Sequence, residues 1–265
     1  MLDWLTASLS GSAAHAIAPW AAWHGRCMVL AWALLLPLGA LLARFYKVTP
    51  SQAWPQRLDN PLWWHGHRAL QWAGVLIMSV GLALAWQQGS GASSAANAQA
   101  QAHALLGWTL FAAAWLQVAS AQWRGSKGGP TDAQLRGDHY DMSKRRQRFE
   151  RWHKALGWAS LLGAPLAVAL GLVLSDAPRW MALTLGAWWL ALGLVFARLQ
   201  SRGRCIDTYQ AIWGPDPQHP GNQRRAIGWG VRRAEIVQQS EPPTDRHAGE
   251  RLDQPAASNS TPRLP

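Results

Sequence analysis

Runs without a single Asp, Glu, Lys or Arg dominate this chain. They are Cys27–Ala43, Ala69–Trp123, Ala155–Ser175 and Trp180–Ala197. The second is too long for one crossing and softens in the middle to QQGSGASSAANAQAQ, so it reads as two apolar segments and a connecting loop. Five segments of roughly 17–25 residues result, the length a helix needs to cross a hydrocarbon layer about 30 Å thick. The pattern predicts an all-α, integral membrane helical bundle with five transmembrane helices. We number the spans I (Trp20–Ala43), II (Trp63–Trp86), III (His103–Trp123), IV (Trp152–Ser175) and V (Trp180–Ala197). Residues 1–19 form an N-terminal segment before the 20–200 bundle. Residues 201–237 are too polar to span, and 238–265 are rich in Pro, Ser, Asp and Arg, with little to bury, which predicts disorder.

Charge adds an orientation. Only 15% of residues are charged, yet the net charge is +11. If the N-terminus lies on side A of the membrane, every one of the 25 basic residues except Arg26 and Arg179 falls on side B. The positive-inside rule then makes side B cytoplasmic, which predicts an N-terminus outside and a C-terminus in the cytoplasm. The basic excess therefore reports membrane orientation, with lipid and not nucleic acid as its partner. The mean hydropathy of −0.10 is compatible with spans because 19 Trp depress it, and Trp favours membrane interfaces. No Lys or Arg precedes Arg26, so a secretory signal peptide is not expected. Cys27 and Cys205 are too differently placed to pair, and no CxxCH offers covalent haem attachment.

Candidate chemistry lies in the histidines. Of nine, His24, His65, His67, His103 and His153 lie in or at the ends of spans, where an ionisable group is costly and tends to mark function. Spans I and III enter from side A, placing His24 and His103 near that face. Spans II and IV enter from side B, placing His65 or His67, and His153, near the other. Two imidazoles from facing helices supply both axial bonds of a b-type haem, and iron so ligated passes single electrons. The spans lack the carboxylates and thiolates that other metals would need. Gly107 and Gly157 stand one turn beyond His103 and His153, where a missing side chain leaves room for a macrocycle. His15, His139, His219 and His247 read as solvated.

These residues resemble the cytochrome b561 family, in particular its bacterial and DOMON-associated members. The family pattern is met in order by His24-Gly25, Ala31-Trp32, Pro37-Leu38-Gly39 and Ala43-Arg44-Phe45. It continues with His67-Arg68-Ala69-Leu70-Gln71, Gly74 and Gly81, with His103, Gly107, Leu116-Gln117 and Arg124, and with Arg151, His153 and Gly157. The resemblance covers residues 20–200. It implies a four-helix core holding two non-covalent haem b groups, His24 pairing with His103 and His67, rather than His65, with His153. Some members hold ascorbate by an arginine ending the first core helix and by lysines before the second. Arg44 meets the first requirement, but Leu58–Gly66 contains no lysine.

The expected function is transmembrane electron transfer, a transmembrane oxidoreductase activity between a small-molecule or quinone donor and a periplasmic acceptor. The alternative is a haem-bearing subunit or anchor of a larger quinone-linked redox complex, docking a partner protein through WGPDPQHPGN and Arg232-Arg233. Arg26, Arg44, Arg68 and Lys154 are candidates to neutralise haem propionates. Gln71 and Gln117 are candidate hydrogen-bonding neighbours of the ligands.

Overall fold

A computed structural model of the protein describes residues 2–11, 17–89 and 98–234. Among these the chain is helical, with only two isolated β-bridges, Ser8 with Pro178 and Ile206 with Arg232. His15, His247 and the segment expected to be disordered lie outside the described residues. Five helices are long and apolar enough to cross a membrane: Pro19–Phe45, Pro61–Gln87, Ala98–Gln122, Lys144–Leu174 and Arg179–Ser201. The protein is a helical membrane bundle. Large apolar side chains such as Leu105, Leu162, Leu190 and Leu194 point outward on several spans, a surface that suits lipid and not water.

Span I joins α2 (Pro19–Val29) and α3 (Leu36–Phe45) through a π-helical stretch, Leu30–Leu35. Pro37 explains the irregularity. It has no N–H for the Ala33 carbonyl four residues back, and its ring would crowd that carbonyl in a regular helix. The orphaned Ala33 oxygen instead accepts the indole N–H of Trp188 on span V at 2.6 Å. Spans II to V are α4 (Pro61–Gly89), α5 (Ala98–Gln122), α6 (Lys144–Leu174) and α7 (Arg179–Ser201).

Two helices begin earlier than hydropathy predicts. α5 starts at Ala98, so His103 lies more than a turn inside it, and α6 starts at Lys144, more than two turns before His153. Ser143 sets the second boundary, its hydroxyl accepting the Arg146 N–H at 3.2 Å. Hydropathy marks where lipid begins, whereas the cap marks where the helix does.

Spans I and II form one antiparallel hairpin and spans III and IV another. Ala31, Trp32 and Leu36 meet Val75, Met78, Leu110, Ala114, Ala164 and Ala167 in the core between the hairpins. At one end α1 (Leu2–Thr6) and its continuation pack on the IV–V turn, where Arg179 donates its N–H to Ala7 and Ser10 bonds Asp176.

The I–II connection, the III–IV loop and residues 201–234 pack together at the opposite end. Lys127 bonds both Asp59 carboxylate oxygens at 2.8 and 2.7 Å, with both partners buried. Trp54 donates to the Gln210 carbonyl and Tyr209 to that of Tyr140. The short helix α8 (Thr208–Trp213), capped by Asp207, centres this layer with Tyr209, Ile212 and Trp213 buried. Burial drives the Tyr209 hydroxyl up to about 12, and it lowers the Lys47 ammonium to about 8.

One reading is corrected here: His139 is not solvated but fully buried under Tyr209 and Trp213. Its loop carries too little apolar sequence to announce a core, and the cover comes from α8, more than sixty residues away. Burial, then the nearby Arg146 charge, lower its pKa to about 3 against the opposing pull of Glu150. The ring is therefore neutral, although its Nε2 lies 3.5 Å from the Glu150 carboxylate.

Candidate functional site

Four histidines stand in two facing pairs. The His24 ring on span I lies 6.2 Å from that of His103 on span III, with planes at 79°. The His67 ring on span II lies 6.3 Å from that of His153 on span IV, with planes at 81°. Each pair thus bridges the two hairpins. The pairs occupy different levels. His67 and Gly81, whose carbonyl meets His24, are fourteen residues apart on α4, about 21 Å at 1.5 Å per residue.

Backbone carbonyls orient three of the four rings. Nδ1 of His24 lies 2.9 Å from the Gly81 oxygen, Nδ1 of His67 lies 3.0 Å from that of Gly39, and Nδ1 of His103 lies 3.0 Å from that of Ala167. A carbonyl only accepts, so each Nδ1 donates, and the Nε2 lone pair stays available to a metal. Small residues bring the helices close enough for these bonds. A Cβ on Gly81 would lie 2.7 Å from the Cys27 Cβ, and one on Gly39 would run into the Gln71 amide.

The spacing fits a metal held between two rings. About 2 Å from metal to each nitrogen, and about 1 Å from nitrogen to ring centre, place opposed imidazole centroids about 6 Å apart. Among the described residues there is no cluster of three or more His, Cys, Asp or Glu that could hold a metal unaided. A metal between these pairs would take its remaining ligands from outside the protein, from water or from an organic group such as a porphyrin, which supplies four. A Cβ on Gly25 or Gly107 would meet nothing within 4 Å, so there is open space beside His24 and His103. Gly157 differs, because the Gln117 amide lies 3.1 Å from where its Cβ would be. Gly171 is a contact that sequence reasoning missed, with His103 Cε1 3.1 Å from its Cβ position.

The basic candidates are unequally engaged. Arg44 donates to Gln200 Oε1 and the Trp229 carbonyl at 2.8 Å each, and its guanidinium sits among Phe45, Trp158, Phe196 and Trp229. Lys154 bonds Glu150 at 2.9 Å and the Ile227 carbonyl at 2.7 Å. Arg68 lies over Trp64, as does Arg124, and Arg26 lies over Trp23. Arg124 is lowered to about 10 by burial, then by Arg146 and Arg68. His65 is exposed and outside both pairs. Of the basic pair considered for docking, Arg233 is tied to Asp207 at 2.5 Å and to the Gly221 carbonyl. Trp213 and Asn222 of WGPDPQHPGN are likewise folded into the layer.

Fold and site together define a multi-pass helical membrane protein with two facing histidine pairs at two levels. Over 149 residues, 56% of this chain, it is 28% identical to a cytochrome b561, DM13 and DOMON domain-containing protein of Arabidopsis thaliana. The chain spans only 14% of the length of that relative. No family model matches the chain, and no solved structure is significantly similar to it.

Proposed function

We infer that this protein carries electrons across a membrane through two b-type haems, one held by His24 and His103 and the other by His67 and His153. The observation that carries the reading is the repeated 6.2 and 6.3 Å spacing of facing imidazoles. Likeness to a protein named for cytochrome b561 supports it. When bound, haem iron with two protein ligands supplies one-electron chemistry and has no open coordination position.

The chain's own residues do the rest. The carbonyls of Gly81, Gly39 and Ala167 fix ring tautomer and orientation, which raises ligand basicity and pre-sets the geometry. The packed layer of Trp32, Leu36, Met78 and Leu110 keeps water out of the space between the two levels. Arg68 and Arg124 place positive charge near the His67 level, where anionic propionates or an anionic donor would be favoured.

In this reading the end bearing the III–IV loop and α8 is cytoplasmic, the membrane is a bacterial inner membrane, and a small-molecule or quinone donor delivers electrons there for a periplasmic acceptor. Residues 20–200 are the electron-carrying bundle and 201–237 a cytoplasmic extension. The test is the reduced-minus-oxidised absorption spectrum and the haem-to-protein ratio of the purified chain. We expect a b-type spectrum and two haems per chain. A colourless protein sinks the reading.

A further inference from the structure

The asymmetry among the four rings carries a further step, which rests on the reading above. Three ligand histidines donate Nδ1–H to a carbonyl of their hairpin partner, but Nδ1 of His153 is buried with no hydrogen-bond partner among the described residues. The antiparallel register identifies what faces it. His153 lies fourteen residues before Ala167 on α6, and the residue fourteen after His103 on α5 is Gln117. In hairpin I–II the same count from the His24–Gly81 pair leads from His67 to Leu38, next to the observed Gly39. Gln117 thus stands where the other three rings find their acceptor.

Its main-chain carbonyl already receives the Ser120 hydroxyl at 3.0 Å in addition to the helix. Its side-chain Oε1 is buried with no partner, and its amide nitrogen is 3.1 Å from the Cβ position of Gly157, one turn beyond His153. The buried, unpartnered Gln117 Oε1 and the buried, unpartnered His153 Nδ1 therefore lie at one level of one hairpin, and leaving such groups unpaired is costly.

We propose that Gln117 is a positioning residue for the His67/His153 haem, its side-chain carbonyl accepting Nδ1–H of His153 when Nε2 binds iron. The other three ligands are oriented by main chain, which no substitution removes. This one is oriented by a side chain, so a single residue tunes the electron affinity of one haem and not the other. Accepting that proton raises imidazole basicity and favours ferric iron, so losing the acceptor raises the midpoint potential.

The experiment is a redox titration of the haem-loaded chain followed by optical spectroscopy. Gln117→Leu is expected to raise the potential of one haem only, by up to about tenfold in the ferrous-to-ferric ratio at fixed ambient potential, or about 59 mV for one electron. Gln117→Glu keeps a carbonyl acceptor and should leave that potential at or below the wild-type value. Ser120→Ala should move neither haem. If Gln117→Leu does not fold, Gln117→Met is titrated in its place.

Two haems with no selective shift in either apolar variant overturn this proposal while leaving the proposed function intact. A shift with Ser120→Ala instead would assign the bond to the main-chain carbonyl and also overturn it. A chain that binds no haem overturns the proposed function itself.

Discussion

Replacing His103 by alanine should remove one haem and spare the other. The substitution deletes what the proposed function makes an axial ligand, together with a bond to the Ala167 carbonyl at 3.0 Å contributing about 1 kcal/mol and the ring packed on Gly171. The His67/His153 level lies about 21 Å away along α4. Substitutions more than about 10 Å apart with no shared partners couple by at most about 0.5 kcal/mol, roughly twofold in affinity. Haem content should therefore fall from two to one per chain, with the remaining haem's potential nearly unchanged. The assay is haem quantified against protein after purification, followed by redox titration. Should the cavity unfold the chain, His103→Leu fills most of it with an apolar side chain that cannot ligate iron. A ratio that stays at two, or falls to zero in a folded protein, refutes the idea of two independent pairs.

Three further outcomes follow from the packing. Trp188→Phe leaves the Ala33 carbonyl without a donor because Pro37 cannot supply one, costing about 1–2 kcal/mol; a melting temperature equal to wild type would contradict this. Gly81→Leu drives a side chain into Cys27 and Met28 and should lose the His24/His103 haem before the other, read as a selective loss of absorbance. His139 gives a pH dependence: its folded pKa of about 3 lies below the unfolded 6.5, so the unfolded chain alone takes up the proton as pH falls. The His139 contribution is full above pH 6.5 and falls by about 2 kcal/mol by pH 5, and His139→Phe removes that share of the slope. Thermal melts of both proteins at pH 7 and pH 5 check it, and equal slopes would refute it.

How much of this was legible in the sequence differs by feature. The five spans follow from charge-free runs because lipid penalises charge at every position of a crossing helix. The shared levels of His24 with His103, and of His65 or His67 with His153, follow from counting residues along alternating helices, whereas the choice of His67 over His65 rested on the resemblance alone. The anchoring carbonyls of Gly39, Gly81 and Ala167 were not legible, because a main-chain acceptor leaves no mark on residue identity beyond a preference for small side chains. The π-helical stretch was foreshadowed by Pro37, but its resolution by Trp188 needed the placement of span V. The layer around His139 and α8 was hidden for a different reason: its core is assembled from five stretches far apart in sequence, Leu42-Ala43, Trp63-Trp64, Tyr140–Met142, Tyr209–Trp213 and Ile227.

The most direct test of the central claim is electron transfer across a sealed vesicle. The haem-loaded chain is reconstituted with an impermeant oxidant inside and a reductant outside, and oxidant consumption is followed optically. Transfer is expected with the wild-type chain and should be lost in both His24→Ala and His153→Ala, since each breaks one of two proposed stations in series. Undiminished transfer in either variant that has lost its haem, or no transfer by a fully loaded wild-type chain, would contradict it.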